Sequence, residues 1–154
     1  MGMDQTLYRD SSIERSDIEV AIAKAGKKLK LTNPYRLREE VATWRKAYEV
    51  HDWFVQKYQS QFESGYVADI NHDTEMEFDA EDLMELLDVV NKVLVSPDKA
   101  AVLLPYRKGL AAVHKDAQEL LLWQLGDTKA QLEKILAEHD DWPLEAWYVY
   151  QYSD

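Results

Sequence analysis

Residues 41–58 read VATWRKAYEVHDWFVQKY, and the fold depends on how this stretch is taken. Just upstream, Thr32-Asn33-Pro34 offers a polar cap followed by proline at a first helical position. From there Leu37, Val41, Trp44, Tyr48, His51, Val55 and Tyr58 recur at alternating steps of four and three. That spacing predicts one long helix over 34–58 with a continuous apolar stripe. Arg38, Arg45, Glu49, Asp52 and Gln56 fall on the polar side, and Trp53 lies off the stripe. His51 sits within the stripe. It reads either as a core histidine hydrogen-bonded to a neighbour or as a general base or metal ligand in a cleft.

On the N-terminal side, Ser11 or Ser12 caps a helix carrying Ile18, Ile22, Ala25 and Leu29. Gly26 and Lys27-Lys28 end it near residue 30. Residues 1–12 are expected to be loose, and 13–33 to form an additional N-terminal helix. On the C-terminal side, Gly65 and Asn71 favour turns, while residues 75–78 alternate as a short strand does. Asp79 and Asp82 have the spacing of a capping box, opening a helix with Leu83, Leu86, Leu87, Val90 and Leu94 inward. Ser96-Pro97 starts a short helix that Pro105 ends.

A long helix is expected from about Leu110 to His139, with Leu120 among its buried residues and Gly126-Asp127 as a bend. The segment WYVYQY, residues 147–152, is aromatic and β-branched and reads as a strand. A lone strand is unstable, so residues 75–78 are its natural partner. The expected fold is therefore mainly α within the α+β class. It has four to five helices, a small antiparallel β element at the C-terminal strand, and a single domain over 1–154.

The composition narrows the function classes. The chain has 154 residues, 46% of them hydrophobic, which is a globular composition with enough length for a core. It has no cysteine, which removes disulfides, thiolate metal sites and a cysteine nucleophile. No secretory leader and no membrane-length apolar run is present, so the cytoplasm is the expected location. The net charge of −11 is concentrated. Residues 60–98 hold eleven acidic residues against one basic, a pattern that repels nucleic-acid backbones and steers cationic partners.

Several chemistries can be tested by spacing. Asp69, Asn71, Asp73, Glu75 and Glu77 alternate as calcium-loop ligands do. Thr74 and Ala80, however, stand where that loop needs its glycine and its bidentate glutamate. Carboxylates at i, i+3 occur as Glu49/Asp52 and Glu85/Asp88, the arrangement by which all-α nucleotide pyrophosphohydrolases hold Mg²⁺. Both pairs lie opposite their helix's apolar stripe. The His-Asp dipeptides at 51–52, 72–73 and 139–140 lack the further ligands of the helical phosphohydrolases. The five glycines are dispersed, so no phosphate loop exists.

The residues Trp44, Arg45, Lys46, Ala47, His51, Trp53, Phe54 and Val55 resemble a signature of small uncharacterised proteins of bacteriophages and prophages. That signature reads Trp-Arg-Lys-Ala-Asn-x-Ile-His-x-Trp-Phe-Val, with Tyr48 and Val50 replacing its asparagine and isoleucine. The segments 78–88, 103–105 and 127–136 and the closing Tyr-x-Tyr-x-Ser are also similar, so the resemblance spans residues 40–154. The family's Cys-Gly before the strand is missing, and residues 106–110 stand where it has a phenylalanine-rich glycine turn. The resemblance implies a viral accessory origin and assigns no chemistry.

Taken together, these features lead to the expectation of a non-enzymatic phage-type accessory protein in the bacterial cytoplasm. It would bind a host or defence protein with a basic surface, without a cofactor, a membrane or direct nucleic-acid contact. The candidate binding residues are Arg45, Lys46, His51 and Trp53, with Asp69, Asp73, Glu75 and Glu77. In one arrangement Arg45, Lys46 and Trp53 face the acidic segment or a ligand while His51 fixes the helix from beneath. The alternative is a Mg²⁺-dependent nucleotide pyrophosphohydrolase or nucleotide-binding protein using Glu49, Asp52, Glu85 and Asp88. A homo-oligomer paired through the aromatic C-terminus is a third reading.

Overall fold

A computed structural model describes residues 3–12, 29–33, 36–63, 65–104 and 115–153. Its frame is a sheet, which corrects the mainly helical expectation with its small β element. The described elements are β1 (Asp4–Ser12), β2 (Leu29–Asn33), β3 (Arg36–Arg45), α1 (Tyr48–Gln59), β4 (Met76–Phe78) and α2 (Ala80–Val95). After the 3₁₀ turn Pro97–Lys99 come α3 (Ala100–Leu103), α4 (Lys115–Asp141) and β5 (Glu145–Ser153). The five strands lie in the order β2-β3-β1-β5-β4, every neighbouring pair antiparallel.

The first correction falls on the opening stretch. Residues 36–45 are not helical but form β3, and the helix starts only at Tyr48. The pairing of β1 with β3 explains the false period. Leu7 faces Ala42 and Tyr8 faces Glu40, so Val41 is an extra residue, a bulge. Buried Leu37, Ala42 and Trp44 follow a period of two that jumps by one at Val41. The jump imitates helical spacing.

The strand turns into α1 at Lys46, whose φ of 54° lies in the left-handed region. Its N–H donates to the Met3 carbonyl at 2.8 Å. Ala47 has no side-chain cap, and the Gln5 amide serves it instead. Gln5 Oε1 accepts from Ala47 N at 2.8 Å, and Gln5 Nε2 donates to Ala47 O at 3.1 Å.

The second correction is that residues 4–12, expected to be loose, form the central strand, paired along its whole length with β3 and β5. Of the expected N-terminal helix, 29–33 is strand β2 and 13–28 lies outside the described residues. The expected start of the last helix near 110, the stop at Pro105 and the turn at 106–110 also lie outside them.

The C-terminal half follows its sequence signals. Met76–Phe78 pairs with Tyr148–Tyr150, the expected partnership. Asp79 and Asp82 form a reciprocal capping box, with Asp82 N donating to Asp79 Oδ1 at 2.9 Å. The exception is Gly126-Asp127, expected as a bend: α4 runs through both as one continuous helix.

The core lies on one face of the sheet. Leu7, Trp44, Met76, Phe78, Tyr148 and Tyr150 meet Phe54 of α1, Leu83, Leu86 and Val90 of α2, and Leu125, Leu132 and Ile135 of α4. Phe54 stacks on Tyr150 with ring centroids 4.3 Å apart. Alternation along β1 sends Tyr8 and Asp10 to the opposite, outer face. Among the described residues, no helix is long and apolar enough to cross a membrane.

Candidate functional site

Two charged side chains of β1 are buried, and each is held by partners from its own face. Arg9, 1% exposed, donates to Glu39 at 3.0 Å and Glu138 at 3.1 Å. Its guanidinium lies 4.8 Å from the Trp142 ring centroid. Burial alone would lower the Arg9 pKa, but hydrogen bonds and charge from Tyr148, Glu138 and Glu39 raise it. The Tyr148 hydroxyl also meets His139 Nδ1 at 2.8 Å, and burial raises its own pKa.

On the outer face, Asp10 accepts two bonds from Arg38, at 2.7 and 2.8 Å. Arg38 continues to Glu75 at 2.6 Å, and this hydrogen-bonded chain raises its pKa. Both centres are ionically complete, and each joins segments distant in sequence.

Most of the residues expected at a site are dispersed. Arg45 is exposed at the end of β3, with Nε 3.9 Å from Asp4 Oδ1. Lys46 is exposed, and its carbonyl accepts from Gln124 Nε2 at 3.3 Å. His51 is half-buried, with Nδ1 2.8 Å from the Tyr150 hydroxyl and its ring edge-on to Tyr152 at 4.5 Å. It therefore pins α1 to β5. Trp53 packs edge-on against Phe54 at 5.5 Å and is half-buried.

Asp69, Asp73, Glu75 and Glu77 are all exposed. The cations that reach residues 69–88 from outside the segment are Arg38, at Glu75, Lys57, between Asp82 and Glu85, and Lys92, at Asp88, among the described contacts. The expected juxtaposition of Arg45, Lys46 and Trp53 with the acidic segment is not among those contacts.

The four carboxylates of the Mg²⁺ alternative are not gathered in one place. Glu49 is buried, whereas Glu85 binds Lys57 at 2.5 Å and Asp88 binds Lys92 at 2.7 Å on exposed helix surface. Asp52 is half-buried, and burial raises its pKa. Among the described residues, no three His, Asp or Glu side chains converge as metal ligands.

Sequence reasoning overlooked an open groove of about 520 Å³ where the ends of β1 and β3 meet α4. Asp4, Thr43, Arg45, Trp123, Gln124 and Asp127 line it. Trp123 is 70% exposed there, and Leu120, one turn earlier and expected to be buried, is 50% exposed. The available signal was Trp123 itself, a large aromatic outside the apolar stripe of its helix. The chain matches no family model, no curated protein and no solved structure.

Proposed function

We propose that the chain is a non-enzymatic accessory protein of phage type, acting in the bacterial cytoplasm by binding a basic surface on a host or defence protein. The resemblance of residues 40–154 supports the origin. The observation that carries the binding reading is the exposure of Asp69, Asp73, Glu77 and Glu81 within one short segment of the chain. Complementary charge there raises association rate and selects partners. The buried ionisable groups Arg9 and Asp10 are closed in internal pairs, an arrangement that supports an architectural role for them. The nucleotide-hydrolase alternative gains no support from the geometry, since its carboxylates stand apart.

The test compares the native chain with a variant carrying D69N, D73N, E77Q and E81Q as baits in a bacterial lysate. A basic protein held by the native chain, released as salt rises from about 0.05 to about 0.3 M and missed by the variant, supports the reading. Identical captures by both baits would refute it.

A further inference from the structure

The fold repeats one local arrangement: a guanidinium over an aromatic ring with carboxylates beside it. Arg9 lies over Trp142 with Glu39 and Glu138, and Arg38 lies 4.8 Å from the Tyr8 ring centroid with Asp10 and Glu75. Arg36 lies 5.1 Å from the Trp147 centroid, with a terminal nitrogen 3.8 Å from Asp10. The groove at Trp123 offers the same ring and acids. Asp127 follows Trp123 by one helical turn, and Asp4 stands on the groove's other wall. No cation lies over the Trp123 ring among the described residues.

Among the described residues, the acids there also keep acceptor capacity. Asp127 accepts from Gln131 at 3.1 Å through one oxygen, and Arg45 approaches Asp4 only to 3.9 Å, beyond hydrogen-bond distance.

We propose that this groove receives an arginine side chain of the partner protein, stacked on Trp123 and hydrogen-bonded to Asp4 and Asp127. The planar guanidinium fits both demands at once, stacking through its face and donating through its edge. A lysine ammonium supplies the charge without the plane. The proposal rests on the reading of a basic partner and places a second contact outside the acidic segment. Arg45 is then the side chain the incoming arginine displaces from Asp4.

The experiment follows the indole N–H signals of the ¹⁵N-labelled chain, with Trp123 assigned through Trp123→Phe. The probe is a capped Gly-Arg-Gly-Arg-Gly peptide, and the control is the same peptide with uncharged citrulline replacing arginine. The expected result is a saturable shift of the Trp123 signal with arginine and none with citrulline. Asp4→Asn and Asp127→Asn should each weaken binding by about fivefold, and Arg45→Ala should tighten it. These substitutions are at exposed positions, and the other four indole signals report that the fold is retained.

An unmoved Trp123 signal, equal shifts with citrulline, or weaker binding on Arg45→Ala would overturn the proposal. The variant neutralised at 69, 73, 77 and 81 separates the two surfaces. Unchanged peptide binding supports a distinct groove. Binding abolished in that variant, with Trp123 never moving, leaves the acidic-surface reading standing and removes the groove.

Discussion

Arg9 and Asp10 are neighbours on one strand, yet they lie on opposite faces of the sheet and are buried by different means. Arg9 enters the helix side, where aromatic rings enclose it and carboxylates from β3 and α4 neutralise it. Asp10 stays on the outer face, covered by arginines of the adjacent strand, one of which reaches the acidic segment. The first is a charge inside a helix–sheet interface; the second is a charge roofed by its own counter-ions. Burial of an ion therefore has two solutions in this fold, and they should fail differently. A buried cation without its pair cannot rehydrate, whereas an outer-face pair can recruit water.

The largest effect should come from Arg9→Ala, which takes the cation from Glu39 and Glu138 and empties the space beside Trp142 and Tyr148. Chemical denaturation should show a loss of about 3–5 kcal/mol. Asp10→Asn keeps the shape and removes one charge from the outer pair, and Arg38 retains Glu75. A loss of about 2 kcal/mol is expected by the same measurement, and a loss equal to that of Arg9→Ala would erase the contrast between the faces.

The smallest effect has the opposite sign. Burial raises the Asp52 pKa above its unfolded value of 3.8, so its charged form destabilises the fold. The folded state then binds the proton more tightly, and stability falls as pH rises through the carboxylate range. Asp52→Asn should stabilise the fold at pH 7 by on the order of 0.5 kcal/mol, read as a small rise in Tm. The gain should vanish below the unfolded pKa. A lower Tm at pH 7 would show that Asp52 has a stabilising partner.

The same contrast separates what the sequence displays from what it conceals. The C-terminal half was legible because its signals are local: the Asp79–Asp82 box, Ser96-Pro97, and the alternating aromatics of β5. The N-terminal half was not. DQTLYRDSS is polar, and polar residues read as surface unless their partners are known. Here Gln5, Arg9, Asp10 and Ser11 are buried because residues 28 to 145 positions away satisfy them. In β3 the bulge at Val41 disguised a period of two as a helical one.

The candidate site was legible in part. The carboxylates Asp69, Asp73, Glu75 and Glu77 are exposed, as their local charge suggests, whereas the groove joins Asp4, Arg45 and Trp123 across the chain, a proximity that spacing cannot reveal.

The place of β1 between β3 and β5 sets an order of events during translation. A nascent chain that has released residues 1–60 can zip β1 to β3, but the other edge of β1 stays open until residues 145–153 leave the ribosome tunnel. Until then, Leu7 and Gln5 lack their β5 neighbours and the helices lack a finished platform. An unpaired strand edge of that length invites pairing with another chain, so the interval before β5 emerges is when this protein is most exposed to misassembly.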